Sequence, residues 1–245
     1  MLRSVSLKTV VRFLVIAGMT CSAFAQEEGA GGGHDAGAPL AFKVEWVRPA
    51  SQENAKVRYM PTQENVADPN VEIKYYGAAK QILTTGAPGN PLAPYGVWSG
   101  TATAPFAVTF KMKNSYVDLT GFGNIKWFTK TSAFHVVRPV IKLANGTMLV
   151  GDATFASVTM VTENRFALST VRWIKLDPEK IVTLNSGRAA ANPNGDVWAP
   201  NPDLSKVDEV GFVDLMPGSG HGTGGWIQLG TMEVYGKPVP RTAAQ

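Results

Sequence analysis

Residues 106–112 read Phe-Ala-Val-Thr-Phe-Lys-Met. On an extended chain Phe106, Val108, Phe110 and Met112 fall on one side, and Ala107, Thr109 and Lys111 on the other. A period of two with one apolar side marks a strand of an antiparallel sheet that rests on a core. Residues 42–47 (FKVEWV) and 71–75 (VEIKY) alternate in the same way. Further strands are expected at 125–131, 136–143, 148–150, 171–176, 210–215 and 226–235, with a weaker candidate at 158–161. No stretch shows a 3.6-residue period, and Asp177-Pro178-Glu179-Lys180 starts a short helical turn at most. About ten to twelve short strands joined by Gly and Pro turns predict an all-β fold. The expected architecture is an antiparallel β-sandwich of jelly-roll type with long loops and little helix.

The turn residues refine this reading. Asn145-Gly146 separates two apolar runs, and Asn-Gly accommodates positive φ at both centres, so a type I′ hairpin is expected. Pro139 lacks a ladder donor, which predicts an edge strand or a bulge there. Residues 86–94 and 185–203 are rich in Gly, Pro and Asn and read as long loops.

The N-terminus predicts export. Arg3, Lys8 and Arg12 precede the apolar run 13–20, and Ala23-Phe24-Ala25 is the small-x-small pattern of a signal-peptidase site. The run is too short to span a bilayer, which takes about 20 apolar residues. The expected organisation is a signal peptide at 1–25, a flexible Gly-rich leader at 26–40, one β-sandwich domain at 41–240 and a tail at 241–245. The expected location is periplasmic or extracellular. Cleavage removes the only Cys, Cys21, and three of the 23 basic residues, against 19 acidic ones. A near-neutral chain without clustered Lys and Arg gives no ground for a nucleic-acid partner. A thiol-free chain of this size rests on its core, because staples are needed mainly below about 40–80 residues.

Few motifs carry chemistry. Gly220-His221-Gly222-Thr223-Gly224-Gly225 matches G-x-G-x-x-G, but a strand follows it where a dinucleotide site needs a helix. The bland reading is a Gly-rich loop, with His221 placed where a ligand could approach the backbone. Three His, of which His34 falls in the leader, argue against a His-rich metal site. His135 or His221 could join a Ser-His-Asp triad on paper, yet no context selects a Ser. Carboxylate pairs for glycoside hydrolysis would come from Asp118, Asp152, Glu163, Asp208, Asp214 or Glu233, and their separation is a property of space. Arg138 and Lys142 share a strand face, either a solvated surface or a polar floor for sugar hydroxyls or a carboxylate. Trp127 shares a face with Ile125, which favours the core. Trp198 lies in a polar loop and can be either a sugar-stacking platform or a pin for that loop.

Gly225-Trp226-Ile227-Gln228-Leu229-Gly230-Thr231-Met232-Glu233-Val234-Tyr235-Gly236 resembles the last strand of galactose-binding-like β-sandwiches. That superfamily includes discoidin-type domains and many carbohydrate-binding modules. Lys206-Val207-Asp208-Glu209-Val210-Gly211-Phe212 is similar to its paired penultimate strand. The middle, from Val117-Asp118-Leu119-Thr120-Gly121 to Lys142-Leu143-Ala144-Asn145-Gly146, resembles secreted bacterial proteins and implies no activity. Discoidin domains often carry a disulfide, which sets this chain apart from that branch. The resemblance implies a structural calcium, although no ligand set is recognisable, and no other cofactor. The favoured reading is a secreted non-catalytic carbohydrate-binding protein. The residues themselves single out Trp198, His221, Trp226, His135 and Arg138 as candidate ligand-binding residues, with none catalytic, and the resemblance carries no binding residue over. Two alternatives stay open: a glycoside hydrolase or polysaccharide lyase on the same scaffold, and an envelope accessory protein with a protein partner.

Overall fold

Phe106, Val108 and Phe110 are buried as the alternation requires, but Ala107 and Thr109 are buried too. Strand β5 (Phe106–Met112) is therefore covered on both faces, and it lies inside a sheet rather than at its rim. The computed structural model describes residues 37–54, 57–85, 96–99, 102–132, 135–183, 198–215 and 225–241. They belong to one compact unit, Ala36–Gln245.

Among the described residues, two antiparallel sheets pack face to face. The larger runs β12 (Val182–Thr183), β11 (Trp173–Asp177), β9 (Met148–Gly151), β8 (Arg138–Leu143), β14 (Val207–Asp214), β5 and β2 (Val71–Gly77). β13 (Trp198–Ala199) pairs with β11, β6 (Ser115–Asp118) with β14, and β16 (Lys237–Pro240) with β6. The smaller sheet runs β10 (Thr162–Ala167), β7 (Asn124–Thr131), β15 (Ile227–Tyr235), β4 (Val97–Trp98) and β3 (Thr84–Thr85), and β1 (Leu40–Val44) also pairs with β15. Helix among the described residues is confined to one turn, α1 (Ala79–Ile82), and three 3-10 turns. The fold is thus an all-β, jelly-roll-like sandwich with long connections.

Aromatic rings join the two layers. Trp127 of β7 stacks on Phe212 of β14 at 4.6 Å between centroids, and meets Phe155 and Phe166 at 5.2 and 4.9 Å. Trp46 packs edge-on against Phe110, and its indole N–H donates 2.9 Å to the carbonyl of Gly230. That carbonyl is available because the β15–β7 register slips between Leu229 and Met232, a β-bulge.

Three sequence expectations are corrected. The segment 206–212 does not pair with the last strand: β14 pairs with β5, β8 and β6 in the larger sheet, while β15 belongs to the smaller one. The two strands therefore lie in different layers. The Asn145-Gly146 hairpin joins β8 and β9, but Asn145 keeps negative φ and only Gly146 is left-handed, at φ 87°. The Gly146 N–H donates to the Leu143 carbonyl and the Leu143 N–H to the Thr147 carbonyl, both at 2.9 Å. This is a longer turn closed by a glycine, not type I′. Residues 158–161 are a bend with Val158 and Met160 exposed, and the strand follows as β10. β10 escapes a hydrophobicity reading because an inward position holds Asn164, whose amide is satisfied by the Thr129 hydroxyl at 3.1 Å.

Pro139 is not on an edge, since β8 runs between β9 and β14. The bulge alternative holds instead. From the Val137–Phe155 bridge to the Val140–Val150 pair, the β8 side advances three residues and the β9 side five. The ladder is interrupted opposite the residue that cannot donate.

Candidate ligand-binding site

A pocket of about 530 Å³ opens at the rim of the larger sheet. One wall comes from the turn after β10 (Leu168, Ser169, Val171) and the start of β11 (Arg172, Trp173); the other is Trp198 to Leu204. β13 is short because Pro200 and Pro202 follow it and lack the N–H a longer strand would need. Asn201 between them takes left-handed φ, 42°, and turns the chain back. Trp198 opposes Ile174 across the β11–β13 pair and is 39% exposed.

Arg172 fixes the mouth. Its guanidinium lies 4.1 Å from the Trp198 ring centroid. Asp152 accepts from both the Arg172 backbone N–H and its Nε–H, each at 2.9 Å. Partial burial pushes the Asp152 carboxyl up, and the Arg172 bonds and charge outweigh it, so its pKa sits below the usual value. Trp173 is buried, and its indole N–H has no hydrogen-bond acceptor among the described residues. The pocket therefore combines an indole, two prolines and apolar side chains with a polar rim of Ser169, Arg172 and Asn201, the composition of a small-molecule site.

The five candidate residues do not meet in one place. Trp198 walls this pocket. Trp226 lies on the smaller sheet, edge-on to Trp98 at 6.1 Å. Arg138 is half-buried on the outer side of the larger sheet, opposite Val213 in the register. His135 is fully buried, with Nδ1 2.6 Å from the Asp214 carboxylate. A β-carbon on Gly225 would come within 2.5 Å of the same imidazole, so His135 underlies the residue that precedes Trp226. His221 lies outside the described residues.

Lys142, on the face of Arg138, donates to Glu209 at 3.3 Å and to the Tyr76 hydroxyl at 3.2 Å. Tyr76 and Thr109 in turn donate to Glu209. Burial, then the Glu209 contact, pushes the Tyr76 hydroxyl up to about 12. This cluster closes on itself, its donors directed at one buried carboxylate.

The six carboxylates considered for hydrolysis are each engaged. Asp118 accepts from Thr120, Asp152 from Arg172, and Asp208 from Arg241. Glu163 and Glu233 pair with Lys126, and Asp214 with His135. Among the described residues no three His, Cys, Asp or Glu converge on a metal-sized site. Also among the described residues, no helix is long and apolar enough to cross a membrane.

Arg172, Trp173 and Asn201 were not singled out by sequence. The run Trp198-Ala199-Pro200-Asn201-Pro202 held the available signal, a short strand stopped by two prolines.

Neither a family model nor a curated protein matches the chain. Solved structures do. The chain is similar to the family 11 carbohydrate-binding module of a cellulosomal cellulase of Clostridium thermocellum, at 12% identity and TM-score 0.41, over 74% of this chain and 95% of that one. It is similar to the family 11 module from the same organism in complex with a β-1,3-1,4-mixed-linked tetrasaccharide, at 10% identity and TM-score 0.40, over 69% and 91%. It is also similar to an exo-β-agarase at 10% identity and TM-score 0.37, over 75% of this chain but 25% of that one. The likeness is one of β-sandwich architecture.

Proposed function

We propose that the chain is an exported, non-catalytic glycan-binding β-sandwich that holds a sugar in the Trp198 pocket. The observation that carries this reading is the half-exposed indole at the mouth of a pocket large enough for a sugar unit. An indole gives the C–H face of a sugar an apolar partner, while Ser169, Arg172 and Asn201 offer hydrogen bonds to its hydroxyls. Arg172 is held by Asp152, so it meets a ligand already ordered, which lowers the entropy cost of binding. The engagement of the six carboxylates in internal bonds supports binding over hydrolysis.

Affinity electrophoresis of the mature chain on a polysaccharide panel tests the reading. Retention on at least one glycan is expected, and Trp198→Ala is expected to weaken it about tenfold or more, as for an aromatic hot spot. A folded chain that no glycan retains refutes the proposal.

The Asp152–Arg172 pair predicts the pH dependence. A carboxyl with a lowered folded pKa contributes above the ordinary Asp range and is lost as pH falls through the folded value. Glycan affinity should be level from neutrality down to about pH 4, the ordinary Asp range, and fall below it. Asp152→Asn should abolish that acid-side fall. An unchanged profile in the variant would detach Asp152 from the site.

A further inference from the structure

We infer that the outer face of the smaller sheet carries a second ligand site, separate from the Trp198 pocket, that binds uronic-acid residues of an acidic polysaccharide. At one end of this face each lysine is matched by carboxylates. Lys126 pairs with Glu233 and Glu163, and Lys43 with Glu45 and Glu233. The other end is different. Arg58 lies over Trp98 at 3.9 Å, and Lys130 over Trp226 at 5.7 Å. No described carboxylate pairs with either cation. Among the described residues, two cations thus stand on two indoles with no paired anion.

Gln228 adds a second, independent sign. It opposes Trp98 on one side and Lys130 on the other in the strand register. It is 93% buried, at 7% exposure, and its side-chain N–H lacks an acceptor among the described residues. An unmet buried donor is destabilising. The two cationic heads here, a guanidinium and an ammonium, are donors only. The complement is an anion that accepts only, attached to a body that packs on indole.

The rings select the body. Trp98 and Trp226 meet at 76°, forming a corner rather than a parallel slot. A puckered sugar ring can set its C–H face on one indole and its edge on the other. With a carboxylate on that ring, Arg58 or Lys130 supplies the charge-assisted hydrogen bond. The corner is held from below: the Trp226 N–H donates to Ser132 Oγ at 2.8 Å, and Ser132 N–H donates to the Trp226 carbonyl at 2.9 Å.

Calorimetric titration of the mature chain tests this, with polygalacturonate, its carboxyl-reduced neutral form, dextran sulfate and single-stranded DNA as probes. Polygalacturonate is expected to bind, with affinity falling as salt rises. The carboxyl-reduced polymer should bind about tenfold more weakly or less, the loss of one charge-assisted contact. Lys130→Gln and the Arg58→Gln/Lys130→Gln pair should lower polyuronate affinity about tenfold or more, with unchanged melting temperature. Lys237→Gln, on exposed β16, is the control and should change nothing. Trp198→Ala should leave polyuronate binding intact, which separates this site from the pocket. The inference is overturned if the folded chain does not bind polygalacturonate or binds the reduced polymer equally. Equal loss in Lys237→Gln overturns it as well, since the attraction would then be diffuse. Dextran sulfate or DNA binding as tightly as polyuronate overturns the assignment to a carboxylate sugar. If the pocket fails on every neutral glycan while polyuronate still binds and responds to Lys130→Gln, the second site stands without the first.

Discussion

Trp127→Ala is expected to cost about 3–5 kcal/mol, the usual loss for truncating a large buried aromatic. Trp127 has no exposed surface and packs against rings from three elements: Phe212 of the opposite sheet, Phe155 and Phe166. Removing it leaves a cavity that strands on both sides hold open, because each is tied into its own ladder. Trp127→Phe should lose distinctly less. It keeps the stack on Phe212, and it removes an indole N–H that has no acceptor among the described residues. Urea unfolding followed by circular dichroism measures both. A loss below about 1 kcal/mol for Trp127→Ala would mean the site collapses on itself and the two layers do not depend on this ring.

His135→Ala should be nearly as damaging, at about 3 kcal/mol or more, because it breaks a buried pair and removes the imidazole partner of a buried carboxylate. His135 and Asp214 are 0% and 1% exposed, at 2.6 Å. Asp214→Asn should cost less, since its carboxamide oxygen can still accept from Nδ1–H. The effect should also spread. Gly225, at φ 73°, leans on the imidazole and sets the position of Trp226. Gly225→Ala would bring its β-carbon to 2.5 Å from the ring, at a backbone angle that suits glycine. Both His135→Ala and Gly225→Ala should therefore weaken polyuronate binding through Trp226 while leaving the Trp198 pocket as it is. His135→Ala with native stability would show that the pair is dispensable.

These two residues show how the same kind of signal was legible in one place and not in another. Trp127 was readable as core because it shares a period-two face with Ile125. His135 was not, because its partner is 79 residues away, at the end of β14. A histidine near a strand end reads equally as a surface donor or as the buried partner of a distant carboxylate. Trp198 and Trp226 look alike in sequence, each beside a Gly- or Pro-rich loop. The fold sends one to an edge of the larger sheet and the other to the face of the smaller one.

Alternation in residues 106–112, 71–75 and 125–131, with Gly and Pro turns between apolar runs, was enough to determine an all-β antiparallel sandwich. That information is local: a strand's inward and outward faces follow from its own residues. Sheet membership is not local. β14 and β15 are neighbours in sequence and lie in different layers, while β15 takes the first strand, β1, as a partner. Hydrophobic patterning specifies that a face is buried, not which strand lies beside it. The pocket depends on the same nonlocal placement. The Asp152–Arg172–Trp198 stack and the Arg58–Trp98–Trp226–Lys130 corner each join residues from separate strands and loops, brought together only when the layers close.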